Sequence, residues 1–130
     1  MSNVLISLHY YNVVLILLTT LVSGIWGLVL YFRKRDMIRP WRIMLIATLA
    51  DGLLQGLIGV TMVLMNLKPG GGVGNYYLHY VYGGIVALGI PIVWVSFTAN
   101  EKNQRRAVLF YSIATIFMAA AAVRAYMTGV

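Results

Sequence analysis

The sequence predicts an all-α protein, an integral membrane four-helix bundle of up-down-up-down order with both termini on the outer (periplasmic) side. Its 130 residues are 61% hydrophobic and only 10% charged, whereas about a quarter of the residues in soluble domains are charged. Four apolar runs each reach the roughly 20 residues that a membrane crossing requires. The cations cluster in two of the three connecting loops, as in multi-pass proteins. We therefore treat residues 1–130 as a single membrane domain.

The first two predicted spans are joined by a short basic loop. The first span covers about residues 4–32 without a charge or a proline, and the loop follows at residues 33–40. The second span covers about residues 41–67. Pro40 suits the start of this helix, where its missing N–H costs nothing, and Trp41 is expected at the membrane interface.

A glycine-rich turn leads to the third and fourth spans, which are joined by another basic loop. Residues 68–75 include four glycines and a proline, which cannot continue a helix. The third span covers about residues 76–99, and Pro91 is predicted to kink it or widen one turn. A second basic loop, residues 100–106, leads to the fourth span at about 107–127.

The loop charges predict the orientation. Eight cations flank the first and third loops, and Lys68 alone lies in the second. The eight are Arg33, Lys34, Arg35, Arg39, Arg42, Lys102, Arg105 and Arg106. The positive-inside rule places these two loops in the cytoplasm, which predicts a multi-pass protein of the inner (cytoplasmic) membrane. This topology accounts for the net charge of +7, so we expect membrane lipid and no nucleic acid as a partner.

Short connections make neighbouring helices antiparallel, so the first and third helices should be parallel and diagonal across the core. Small residues at close spacing predict tight helix packing: Gly24 with Gly27, Gly52 with Gly56 and Gly59, and residues 119–122.

The two histidines of the chain are predicted at the same depth. His9 precedes Arg33 by 24 residues and His79 precedes Glu101 by 22. At about 1.5 Å per residue their heights differ by only about 3 Å. Two neutral imidazoles on opposite sides of a bundle core are what bis-histidine ligation of haem iron requires.

Other residues near that level suit a porphyrin. Gly83 lies one helical turn from His79, where a side chain would collide with a flat macrocycle. Arg124 is 18 residues beyond Arg106, about 27 Å along the fourth helix, and so reaches the same level, where it can pair with propionates. Seven tyrosines at this level could wall the ring: Tyr10, Tyr11, Tyr76, Tyr77, Tyr80, Tyr82 and Tyr126.

A second interpretation of these residues stays open. Histidine and tyrosine are common in interfacial belts, and Arg124 is near enough to the helix end for its side chain to reach the headgroups. A two-histidine zinc or copper site lacks a third ligand. Cysteine is absent, which excludes disulfides, thiolate metal sites and covalent haem attachment.

A polar stripe follows the second helix. Its members recur every three or four residues: Thr48, Asp51, Gln55, Gly59, Met62 and Asn66. Asp51 and Gln55 form a candidate intramembrane polar site, since Asp51 is about 13 Å beyond Arg42 along the helix. Asp51 is a candidate for a proton relay, for binding a quinol hydroxyl or a cation, or for a structural hydrogen bond.

The segment from Gln55 to Gly84 resembles haem A synthase and related four-helix b-type haem membrane proteins. The resemblance rests on Gln55, Gly56 and Gly59 in one span, a short outer loop, and then His79 with Gly83 four residues later. Haem A synthase has twice as many spans and an acidic residue that serves its chemistry. The resemblance therefore implies a haem-b bundle and argues against synthase activity.

Three functions follow from these observations. The first is a small membrane protein that binds one b-type haem near the outer face through His9 and His79. It would transfer electrons, with or without quinone, as a subunit of a respiratory or photosynthetic complex and without independent catalytic activity. The second is a cofactor-free accessory subunit of a larger membrane complex or a homo-oligomer. The third is a small transporter that uses Asp51.

Overall fold

The protein is all-helical in a computed structural model, which describes residues 2–67, 77–100 and 102–129. Its helices are α1 (Ser2–Phe32), α2 (Arg39–Leu64), α3 (Tyr77–Val93) and α4 (Gln104–Gly129). Four helical segments are long and apolar enough to cross a membrane, and they correspond to the four predicted spans. The prediction of a multi-pass membrane protein with four helices is confirmed. The glycine-rich turn, Tyr76 and Glu101 lie outside the described residues.

α3 changes its winding near its end. The helix passes through Pro91 and continues as a π-helical segment, Trp94–Thr98. The Thr98 hydroxyl group bonds the Tyr111 hydroxyl at 2.7 Å. The widened turn predicted near Pro91 is thus found three residues after it, where it joins α3 to α4.

The C-terminal ends of α1 and α2 are closed by the same backbone motif. Lys34 follows α1 with φ 57° and Asn66 follows α2 with φ 60°. After α2, the Asn66 N–H donates to the Val63 carbonyl at 3.0 Å and the Leu67 N–H to the Met62 carbonyl at 2.9 Å. These two bonds define a Schellman motif, which ends the helix at Leu64 rather than at the predicted residue 67.

The fourth helix begins three residues before the predicted start of the fourth span. Arg105 and Arg106 lie in the first turn of α4 and not in a loop. The Asn103 side-chain oxygen accepts hydrogen bonds from both of their backbone N–H groups, at 3.0 and 3.3 Å. Because an asparagine cap satisfies these otherwise unpaired donors, the helix begins earlier than hydropathy alone indicates.

Trp41 is completely buried between the helices. Its indole N–H donates to the Ser23 carbonyl at 2.9 Å. The ring packs in a cluster that includes Leu30 and Val108, so it joins α1, α2 and α4. The Ser23 carbonyl satisfies the indole N–H, which allows the ring to be buried. The expected depth of Trp41 at the membrane interface stays a prediction.

Small residues allow the helices to approach closely, as predicted. A methyl group at Gly24 would lie 2.6 Å from Ile116, and one at Gly52 would lie 2.8 Å from the Val86 carbonyl. At Gly27 it would collide with the Ser112 hydroxyl. These glycines bring α1 against α4 and α2 against α3.

Each helix packs against two others. α1 contacts α2 and α4 along its length, and α3 also contacts α2 and α4. Near one end of the bundle Tyr10 bonds Tyr126, and near the other the Arg105 side chain donates to the Tyr31 carbonyl at 3.1 Å. Both of these bonds join α1 to α4. Among the described residues, α1 and α3 have no extended contact along their lengths.

Candidate functional site

The His9 and His79 rings meet between α1 and α3. Their centroids are 5.8 Å apart and their planes are inclined by 61°. Both side chains are partly buried. The depth estimate from the sequence is therefore matched by a direct approach of the two rings, which neither helix spacing nor hydropathy can specify.

His79 is held by a backbone carbonyl of α4. Its Nδ1 lies 2.6 Å from the oxygen of Ala125. A carbonyl oxygen can only accept, so Nδ1 is the donor in this bond, and in the neutral imidazole Nε2 then carries the lone pair. Metal-ligating histidines commonly donate their second ring N–H in this way, because the bond fixes the tautomer and the ring orientation.

His9 is held through its backbone and its packing. The Gln55 side chain donates to the His9 carbonyl at 2.9 Å. A methyl group at Gly59 would contact the His9 ring at 3.5 Å. The Nδ1 atom of His9 is buried and makes no hydrogen bond with the described residues. Leaving such an atom unpaired costs about 1–3 kcal/mol, which an incoming ligand could offset.

A cavity of about 940 Å³ opens beside the two histidines. Cofactor and ligand pockets have volumes of about 300–1,000 Å³, and this cavity is near the upper end of that range. All four helices line it, mostly with apolar side chains. Its polar lining comes from His9, Tyr10, Gln55, His79, Tyr80 and Tyr126.

Gly83 and Gly84 form an open part of this wall. A methyl group added at either position would meet no atom of the described residues within 4 Å. Both residues line the cavity. Unlike Gly27 or Gly52, these glycines are not required by contacts between the described helices, and the space in front of them is available to a ligand.

Arg124 does not line the cavity. Its guanidinium group is exposed and stacks on the Tyr82 ring, 5.6 Å from the centroid. The pairing of Arg124 with a propionate stays a prediction, and it requires the side chain to turn away from Tyr82. Since arginine is long and exposed here, such a movement breaks this stacking contact with a described residue, which is worth about 0.5–1 kcal/mol.

The tyrosines at this level are divided between the cavity and the outer surface. The Tyr10 and Tyr126 hydroxyl groups are 3.2 Å apart, and both side chains line the cavity. Tyr11 and Tyr77 are exposed, at 69% and 55%. Part of the predicted tyrosine set thus surrounds the cavity, and part has the exposure of an interfacial belt.

The part of the polar stripe from Thr48 to Gly59 faces α1, whereas Asn66 lies beyond the end of α2. Thr48 is buried and its hydroxyl group bonds that of Ser23 at 2.8 Å. Asn12 donates to the Gln55 side-chain oxygen at 2.9 Å and lies within hydrogen-bonding reach of the Asp51 carboxyl group. Sequence reasoning missed Asn12, although a lone amide three residues after His9 in an apolar run was a usable signal.

Asp51 is buried in this interface, with 7% of its surface exposed. Its Oδ2 atom makes no hydrogen bond with the described residues. Asp51 does not line the cavity, whereas Gln55 does. The two members of the predicted polar site therefore differ: Gln55 touches the cavity, and Asp51 lies behind it.

Within the described residues, no group of three histidine or acidic side chains could hold a metal ion by itself. A site built on His9 and His79 needs a metal whose remaining ligands come from elsewhere, as they do from the four nitrogens of a porphyrin. No family model, curated protein or solved structure matches this chain.

Proposed function

We propose that this chain binds one b-type haem between His9 and His79 and carries electrons as a subunit of a larger membrane complex. The observation that supports the proposal is the approach of the two imidazoles from different helices beside an open cavity. When bound, the haem would supply a one-electron redox centre. The residues of this chain would hold that centre and form its surroundings.

The separation of the rings fits two imidazoles that would hold one metal. An imidazole nitrogen ligates a first-row metal at about 2.0–2.1 Å, and the ring centre lies roughly 1 Å behind that nitrogen. Two imidazoles that held one iron would have their centroids about 6 Å apart, compared with 5.8 Å between His9 and His79.

The hydrogen bond of His79 also fits. Because Nδ1 donates to the Ala125 carbonyl, Nε2 is the atom that would hold the metal. His9 offers a second nitrogen from α1, and Gln55 fixes the backbone from which that ring projects. Gly83 and Gly84 leave space for a flat ring, as the open surroundings of both α-carbons allow.

The bundle is proposed to run up-down-up-down in the inner membrane, with both termini on the outer side. The eight cations at the first and third loops support this orientation. The histidines then lie near the outer face. Since a single haem at one face does not span the bilayer, electrons would pass to or from a partner subunit or a membrane quinone, which suits a respiratory or photosynthetic complex.

A cofactor-free accessory subunit is the second candidate. The His79 bond to α4 and the Tyr10–Tyr126 bond both join helices without any ligand, which favours a purely structural role for these side chains. In that case the protein shows no haem absorbance band, and replacing either histidine does not change its spectrum. No described contact favours the transporter, because Asp51 is packed against α1 and away from the cavity.

A reduced-minus-oxidised absorbance spectrum of the purified protein in mild detergent tests the proposal. We expect a b-type α-band that is lost in His9→Ala and in His79→Ala. Val81→Ala is the matched control, since Val81 is 55% exposed two residues after His79 and its loss should leave the band unchanged.

Chemical rescue separates ligation from a structural role. In His79→Gly, added imidazole should restore the band, because free imidazole would take the place of the missing His79 side chain. A flat spectrum of the wild-type protein after reconstitution with haem would refute the proposal and favour the accessory subunit.

A further inference from the structure

Asp51 is a buried acidic group for which the haem proposal has no role. Of the three acidic residues in the chain, Asp36 is exposed in the first loop and Glu101 lies outside the described residues. Asp51 is 7% exposed, and its Oδ2 atom has no hydrogen-bond partner among the described residues. An acidic group in this position within a membrane helix is costly to retain and commonly marks an ion or proton site.

The surroundings of Asp51 suit a proton better than a metal cation. Calcium takes six to eight oxygen ligands and magnesium near-ideal octahedral coordination. The described residues contain no group of three histidine or acidic ligands. A proton needs only the single free oxygen that Asp51 offers.

Asp51 is linked to the histidine site by two side chains. Asn12 lies beside its carboxyl group and donates to Gln55, and Gln55 donates to the His9 carbonyl. Asp51 is one helical turn from Gln55, about 6 Å along α2. With the width of the α1–α2 contact added, the carboxyl group is on the order of 10 Å from a metal held between the two rings.

We propose that reduction of the site between His9 and His79 raises the fraction of molecules in which Asp51 is protonated. The inference rests on the proposed haem site. The electron comes from a donor of the quinol class and lowers the charge of that site by one. In each molecule that responds, the Asp51 carboxylate takes one proton from the aqueous phase and forms an O–H bond at Oδ2, which neutralises the added negative charge.

Other titratable or charged groups on the helices around Asp51 differ from it in position or chemistry. On the described helices they are His9, Tyr10, Tyr11 and Tyr31 of α1, Arg39 and Arg42 of α2, Tyr77, His79, Tyr80 and Tyr82 of α3, and Arg105, Arg106, Tyr111, Arg124 and Tyr126 of α4. The histidines are the proposed ligands.

The strength of the coupling follows from Coulomb's law. One unit of charge at about 10 Å and an effective dielectric constant of about 20 changes the proton affinity roughly tenfold. For a one-electron couple a tenfold change corresponds to about 59 mV. The midpoint potential should therefore fall by about 59 mV in total as the pH rises through the titration of Asp51.

Redox titrations of the haem-loaded protein across its stable pH range test this inference. We expect the full shift in the wild-type protein and in Asp51→Glu, which keeps the carboxyl group. We expect a pH-independent potential in Asp51→Asn. Asp36→Asn is the matched control, because it removes an exposed carboxyl group and should keep the wild-type shift.

Redox difference infrared spectra supply a second readout. Reduction should produce the C=O band of a protonated carboxyl group, and this band should be missing in Asp51→Asn and present in Asp36→Asn. A wild-type potential that does not change with pH would overturn the inference even if Asp51→Asn does not fold. The haem proposal would survive that result, whereas a wild-type protein that binds no haem would overturn both.

Discussion

Gly83→Leu distinguishes a haem-binding cavity from a gap between packed helices. Gly83 lines the cavity, and a β-carbon there would meet no atom of the described helices within 4 Å. The leucine side chain would therefore enter open space. If the cavity holds no haem, the substitution replaces a helix-interior glycine and the new side chain meets no described atom at its β-carbon.

An empty gap and a haem-binding cavity predict opposite effects of Gly83→Leu: a gain in stability in the first case and a loss of haem affinity in the second. Replacing a helix-interior glycine by leucine should stabilise the haem-free protein by roughly 0.5–1 kcal/mol through helix propensity. If the cavity holds a macrocycle against α3, the same side chain overpacks the site. Overpacking costs about 1–3 kcal/mol, and a loss of this size weakens haem binding by about 5- to 150-fold.

Two measurements on the same preparation test this prediction. Haem titration followed by absorbance gives the affinity, and thermal unfolding of the haem-free protein gives the stability. The control is Val81→Leu on the exposed face of the same helix, which should change neither quantity appreciably. Unchanged haem affinity in Gly83→Leu would refute the placement of the ring against Gly83.

Three further predictions concern individual contacts. Gly27→Ala should destabilise the bundle by about 1–3 kcal/mol, because its methyl group collides with a buried hydroxyl of α4; thermal unfolding in detergent measures this, and an unchanged transition would contradict the packing. Asn66→Val should cost about 1–2 kcal/mol, since φ is 60° there, whereas Asn66→Gly should not; the same unfolding assay compares the two. Arg124→Ala should lower the midpoint potential of the haem, because a nearby cation favours the reduced form; an unchanged potential would rule out the propionate contact.

The spans were predictable because membrane crossing depends on length and apolarity. The four apolar runs became four helices, and the basic loops marked their ends to within a few residues. The errors fall where a single local bond decides the boundary. The Asn103 cap begins α4 three residues early, and the left-handed Asn66 ends α2 three residues early. Hydropathy contains no information on either bond.

The candidate site was predictable in depth but not in direction around each helix. A rise of about 1.5 Å per residue places His9, His79 and Arg124 at one level. It does not determine which way each side chain points. The structure brings the two rings to 5.8 Å but leaves Arg124 on Tyr82, outside the cavity. Direction depends on packing between helices, and here Gly59 and the Gln55–His9 bond fix how α1 and α2 are turned toward each other. For this reason the two histidines, and not the arginine, are the residues on which the haem proposal depends.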